Sequence, residues 1–229
     1  MGDKFGNIRD IAWSSFDEGH DRVFKVMKKQ VVVIHGGDTF GTYEEYVAFL
    51  KTFLIDSLEY FRRRRWRDSL QEKLGDDFEV ITPTMPNKSN AKYSEWKIWF
   101  EKLIPFLNDD VILVGSSLGG IFLSKYLSEN KFPKKIKATF LLAAPYDAAD
   151  SDYTLADFEL PKGLELLEKQ GGQIYLYQSK DDPVVPFVDL EKYKKQLPIA
   201  ETLVFDDRGH FGQNEFPELV EAIKHLWKK

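Results

Sequence analysis

Six short, largely apolar runs recur along the chain: Val31–Ile34, Phe78–Ile81, Val111–Val114, Ala138–Ala143, Ile174–Tyr177 and Thr202–Phe205. The first carries no polar residue on either side, as a parallel strand covered on both faces requires. Between the runs the apolar positions change to helical spacing. From Thr42 to Leu74 they fall at Tyr46, Phe49, Leu50, Phe53, Leu54 and Leu58, then at Trp66, Leu70 and Leu74. That span is long for one crossover and predicts two helices. Tyr93–Leu107 repeats the pattern through Trp96, Ile98, Trp99, Phe100 and Leu103, and both tryptophans read as core. Ile121–Leu127, the stretch around Leu164–Leu167, and Phe216–Trp227 follow, the last with Leu219, Val220, Ile223 and Leu226 on one face. Phe16–Met27 allows one further short amphipathic helix. Thr82–Pro86 is a loop, because its prolines keep it out of helix. Alternating short buried strands and helices predict an α/β fold: a doubly wound, mostly parallel sheet of about six strands with helices on both faces. Residues 31–229 read as one domain and residues 1–30 as an N-terminal extension without an assignable role. A helical insertion is expected at about 43–65, and a short cap at 146–172.

Chemistry enters where the third run ends, in Gly115-Ser116-Ser117-Leu118-Gly119. G-x-S-x-G between a strand and a helix forms a nucleophile elbow, a strained turn that exposes the central serine oxygen. Ser117 is the candidate nucleophile. Val31–Ile34 ends in His35-Gly36-Gly37, a turn able to aim a backbone N–H at the same place. That N–H, at Gly37, and the one at Leu118 are the candidate oxyanion donors. Two further polar groups follow later strands: Asp181 or Asp182 after the fifth run, and His210 after the sixth. In a parallel sheet these strand ends share one edge. A serine, a histidine to take its proton and a carboxylate to orient the imidazole can therefore meet there.

Composition narrows the choices. Lys plus Arg number 32 and Asp plus Glu 37, a net charge of −5, which gives no general attraction for nucleic acid or an anionic membrane. The run Arg62–Arg65 with Arg67 stands against this balance. Glu59, Asp68, Glu72 and Asp76 lie within helical reach, so the run reads as a solvated, partly ion-paired face. There is no cysteine, which excludes disulfides, thiolate catalysis and cysteine metal sites. No apolar run approaches the roughly 20 residues of a membrane span, and no signal-peptide core opens the chain. The expectation is a soluble, cytoplasmic protein. His20 and His225 read as surface residues.

The order Ser, Asp, His resembles that of the α/β-hydrolase superfamily over nearly all of Val31–Trp227. Within it the chain is similar to the small serine hydrolases typified by retinoblastoma-binding protein 9 and bacterial YdeN. The likeness rests on the strand before His35-Gly36-Gly37, the Pro83–Pro86 loop followed by Trp96, the elbow Gly115–Gly119, Asp182-Pro183-Val184-Val185-Pro186, and Gly209-His210-Phe211. The resemblance implies an α/β-hydrolase fold and selects Asp182 as the acid, with Asp181 outside the triad. It implies a serine hydrolase of carboxylesterase type, acting through an acyl-enzyme on a small acyl ester, without metal or organic cofactor. Neither nucleic acid nor membrane is an expected partner, and nothing indicates a protein partner. Acyl transfer and peptide cleavage use the same triad, and a non-catalytic binding protein keeps the same fold. The region Tyr43–Arg65 is longer than the family pattern, and residues 1–30 have no counterpart in it.

Overall fold

The computed structural model describes residues 27–149, 151 and 153–228. All but the last residue of the helix expected over Phe16–Met27, and most of the 1–30 extension with His20, lie outside the described residues. All six expected runs are strands: β1 (Lys29–Ile34), β2 (Phe78–Ile81), β3 (Val111–Ser116), β4 (Ile136–Leu142), β5 (Gln173–Ser179) and β6 (Glu201–Phe205). They form one sheet in the order β2-β1-β3-β4-β5-β6, and every pairing is parallel. The chain moves outward from β1 to β2, returns past β1 to β3, and then proceeds steadily to β6. Strand order therefore reverses between β1 and β3, and a crevice opens beyond their carboxyl ends.

Alternation along the strands divides the core into two layers. Val31, Val33, Ile112 and Val114 face α3 (Trp66–Leu74) and α8 (Pro217–His225). Val32, Ile34 and Leu113 face the opposite layer, which contains α4 (Tyr93–Leu103), α5 (Leu118–Glu129), α6 (Glu165–Gln170) and α7 (Val188–Gln196). The aromatic centre of that second layer is Trp96 against Phe122 and Phe158. Trp96 Nε1 donates to the Pro86 carbonyl at 2.8 Å, so the proline loop is tied to the core.

Two expectations need correction, on the helix count and on Trp99, and two further features of the helices were not anticipated. The span Thr42–Leu74 holds three helices, not two: α1 (Tyr43–Thr52), α2 (Glu59–Arg62) and α3. A capping box on Thr42 and Glu45 starts α1. The Thr52 hydroxyl, which donates to the Ala48 and Phe49 carbonyls, sits where it ends, and Phe53 is extended. Arg63 is extended as well and separates α2 from α3. The apolar positions of α1 do not pack inward, since no residue of that helix is buried. Trp99 is not core either: it is 47% exposed, because the buried face of α4 runs through Tyr93, Trp96 and Phe100. Lastly, α7 was not expected, although Leu190, Tyr193 and Leu197 lie buried at helical spacing. Its many charges hide that stripe.

Candidate active site

The site stands at the switch point between β1 and β3. Ile34 pairs with Gly115, so the turns after both strands leave the sheet side by side. Ser117 opens α5 with φ 55° and ψ −123°, a conformation that costs on the order of 1–3 kcal/mol and persists only where neighbours enforce it. The enforcement is visible. Ser117 N–H donates to the Leu142 carbonyl at 2.8 Å, and the Ser117 carbonyl accepts from Gly120 and Ile121 in the first turn of α5. Close approach explains the glycines: a Cβ on Gly115 would overlap the Gly119 carbonyl, and one on Gly119 would overlap the carbonyls of Ile34 and His35. The elbow can lie this close to β1 only with glycine at both places.

The His35-Gly36-Gly37 turn passes directly beside the serine, and a Cβ on Gly36 would stand 3.0 Å from that of Ser117. His35 shapes this turn from within. Its Nδ1 donates to the Gly36 carbonyl at 2.6 Å, its Nε2 accepts from Met85 N–H at 2.9 Å, and the ring meets Trp96 edge-on. Burial lowers the His35 pKa, the charges of Arg67 and Lys88 add to the effect, and the Gly36 bond opposes it. The ring is held neutral with its proton on Nδ1. The backbone N–H groups of Gly37 and Leu118 make no hydrogen bond among the described residues, and both residues line the pocket at Ser117.

The histidine and the acid come together as a second unit. His210 Nδ1 lies 2.9 Å from Asp182 Oδ2 and 3.1 Å from Oδ1. The Asp182 side chain is fully buried, and Oδ1 also accepts from the N–H groups of Val184 at 2.8 Å and Val185 at 3.0 Å. Asp181 plays a different part, since its Oδ1 accepts from Ser179 Oγ and from Gly209 N–H. Ser179 Oγ in turn accepts from Arg208 N–H at 2.9 Å. Asp181 thus pins the loop that carries His210 instead of touching the imidazole. These hydrogen bonds hold its carboxyl below the usual range, the Ser179 hydroxyl contributing most. On the far side of His210, Phe211 anchors the same loop by packing on Phe205 and Phe216. The structure does not join the two units directly: the Ser117 hydroxyl makes no hydrogen bond to His210 or to any other described residue.

A cavity of about 730 Å³ opens over Ser117. Its walls are Leu118, Val184 and Val185 from the sheet edge, Ala48 and Phe49 from α1, and Pro145, Ser151 and Tyr153–Leu155 from the strap between β4 and α6. The Thr39 hydroxyl donates to the Thr154 carbonyl and fastens that strap to the turn after β1. Asp38 and Glu45 also line the cavity. Desolvation there raises the Asp38 carboxyl above its ordinary value, with Lys88 opposing. Sequence reasoning does not single out Asp38, Thr39 or Gln178, whose Nε2 approaches Asp182 Oδ2 at 3.4 Å. A lone polar residue within a strand or in the turn after it gives no pattern to read. Among the described residues no group of three or more His, Asp or Glu side chains is placed to hold a metal ion, and no helix is long and apolar enough to cross a membrane.

Comparison with known proteins bears on the family and the fold. A family model described as serine hydrolase matches residues 53–226. Serine hydrolase RBBP9 of Rattus norvegicus is 26% identical over 151 residues, covering 65% of this chain and 78% of that protein. The ydeN gene product of B. subtilis superposes with a TM-score of 0.71 at 19% identity, over 88% of this chain and 100% of that one. The esterase domain of a Rhodothermus marinus protein does so with 0.54 at 15% identity, over 81% and 79%. At these identities the structural likenesses establish the α/β-hydrolase fold.

Proposed function

The chain belongs to the serine hydrolase family, and from that premise we propose that it cleaves a small, neutral carboxylic ester through an acyl-enzyme on Ser117. His210 takes the serine proton as the oxygen attacks the acyl carbon, and returns it to the leaving alcohol. Water then repeats the sequence, with His210 again the base, and releases the acid. Asp182 holds the imidazole with its proton on Nδ1, leaving Nε2 free to accept. The N–H groups of Leu118 and Gly37 receive the negative charge on the tetrahedral oxygen, each contributing roughly 2.7–4 kcal/mol to the transition state.

The observation that carries this reading is His210 held at 2.9 Å by the buried carboxylate of Asp182, on the same sheet edge as a serine in a strained elbow. The missing Ser117–His210 bond is consistent with it, because catalytic hydrogen bonds are often long without substrate and tighten in the complex. The cavity supports the substrate class. Its walls are largely apolar, and the carboxylates of Asp38 and Glu45 disfavour an anionic acyl group. We read α1 and the strap over Pro145–Leu155 as the parts that limit acyl length, the strap serving as a short cap.

Hydrolysis of a chain-length series of p-nitrophenyl esters by the wild type and Ser117→Ala tests the reading. Short and medium chains turn over and Ser117→Ala is inactive on all of them. Equal turnover by the variant would place the chemistry elsewhere.

A further inference from the structure

Every residue from Leu50 to Arg64 is exposed, a run of the chain with no inward face. It comprises the end of α1, the extended link after it, α2 and the first arginines. Neither α1 nor α2 packs to more than a slight extent against another helix or strand. The side chains it presents are nevertheless apolar: Leu54 is 89% exposed, Leu58 and Phe61 68% each, with Ile55, Phe53 and Tyr60 beside them. They are ordered among themselves through ring contacts from Phe49 to Phe53, to Tyr60 and to Phe61, with centroids 5.1–5.6 Å apart. Soluble proteins rarely leave such a set in water without a use for it.

Charge identifies the occupant. Residues 50–64 carry Lys51 and three arginines against Asp56 and Glu59, a local balance of +2 in a chain of −5. Helical reach alone would let Glu59, Asp68, Glu72 and Asp76 neutralise part of this run. Of those four only Glu59 lies within ion-pair distance of an arginine, Arg62, at 3.5 Å. Arg63 lies over the Tyr60 ring, and Arg64 has no acidic partner among the described residues. A second copy of this chain meeting the patch across a two-fold axis would bring the two arginine sets together, so self-association is disfavoured. An exposed element that carries leucine, phenylalanine and tyrosine and runs on into arginines fits a different partner. Such rings and chains enter the boundary of a bilayer while the guanidinium groups meet anionic headgroups.

We propose that residues 50–64 dock this protein on an anionic lipid surface. Peripheral binding needs no membrane-spanning helix. The same insertion walls the cavity at Ala48 and Phe49, so docking sets the mouth of the Ser117 pocket beside the lipid. Binding does not depend on chemistry at Ser117, so it stands or falls apart from the hydrolase reading.

The test is flotation of the full-length chain with vesicles of phosphatidylcholine alone and of phosphatidylcholine mixed with phosphatidylglycerol, at low and high salt. The chain floats with the anionic vesicles at low salt, less at high salt, and little with the neutral ones. Since each arginine near an anionic surface strengthens binding about fivefold, the triple variant Arg62→Gln/Arg63→Gln/Arg64→Gln binds about a hundredfold more weakly. Leu54→Asp/Phe61→Asp loses most binding, Ser117→Ala loses none, and thermal melts show that all are folded. Absence of flotation with anionic vesicles overturns the proposal, as does flotation that neither set of surface changes reduces. A dimer in sedimentation that Leu54→Asp dissociates, without vesicle binding, would assign the patch to a second copy and also overturn it.

Discussion

Replacing Asp182 by asparagine separates the two neighbouring carboxylates. The outcome follows from the hydrogen bonds around Asp182. Its Oδ1 accepts from the backbone N–H groups of Val184 and Val185, which have no alternative acceptor. An asparagine must keep its carbonyl oxygen there, so its NH₂ group takes the place of Oδ2, 2.9 Å from His210 Nδ1. An NH₂ donates and cannot accept. His210 is then driven to the tautomer with its proton on Nε2, which cannot take a proton from Ser117. In the serine-protease precedent the same exchange costs about 10⁴-fold in kcat, equivalent to about 5.5 kcal/mol of barrier. We expect a loss of that order in kcat for p-nitrophenyl acetate, with KM little changed. The same NH₂ group faces the Gln178 donor at 3.4 Å, so a modest fall in the thermal midpoint accompanies it. Asp181→Asn can keep its carbonyl oxygen on the Ser179 hydroxyl and the Gly209 N–H, losing only the charge, and should lower kcat less than tenfold. Activity of Asp182→Asn within tenfold of the wild type, or a larger loss in Asp181→Asn, would refute the assignment.

Gly119→Ala should be both unstable and slow. Its Cβ would stand 2.7 Å from the His35 carbonyl oxygen and closer still to that of Ile34, so the elbow must retreat from β1. Overpacking of this kind costs about 1–3 kcal/mol, readable by urea unfolding, and displacement of the serine by about 1 Å costs roughly 10²-fold in kcat/KM. His35 predicts a pH dependence of stability. Its folded pKa is lowered by burial, so below the unfolded value of about 6.5 the unfolded chain binds more protons. The stability of the neutral ring is complete above that value and is lost as pH falls from it toward the folded pKa. His35→Gln should lack this component, so the wild-type advantage in urea midpoint shrinks across that window; a constant difference would contradict the neutral, buried ring. Trp96→Phe strands the Pro86 carbonyl and opens space in the aromatic layer. We expect a destabilisation of about 1–3 kcal/mol in the same assay, with kcat less affected than stability.

The four inner strands were legible because burial on both faces leaves largely apolar runs, and the half-exposed edge strands β2 and β6 still showed as short runs with one polar residue each. The elbow and the turn after β1 were legible for a related reason. Close backbone approach forces glycine at Gly115 and Gly119, and a Cβ on Gly37 would overlap the Lys88 carbonyl. The choice between Asp181 and Asp182 was not open to periodicity, since adjacent residues at a strand end share one register. Only the resemblance selected Asp182, and the structure shows the two carboxylates bonded to different partners. The failures share a cause as well. Apolar residues at Leu50, Phe53, Leu54 and Leu58 fall at helical spacing, yet periodicity records which residues align and not whether anything covers them. In α7 the reverse occurred: buried Leu190, Tyr193 and Leu197 are diluted by the charged residues Asp189, Glu191, Lys192, Lys194 and Lys195. The cavity walls at Asp38, Thr39 and Thr154 arise from loops meeting across the fold, which no local pattern encodes.

The hydrolase reading depends on Ser117 as the nucleophile. Labelling of the folded protein with a fluorophosphonate, followed by mass spectrometry of its peptides, decides the matter. We expect a single adduct on Ser117, lost on denaturation before labelling, absent in Ser117→Ala and strongly slowed in Asp182→Asn. An unlabelled wild type, or an adduct on Ser116 or another residue, would contradict the assignment.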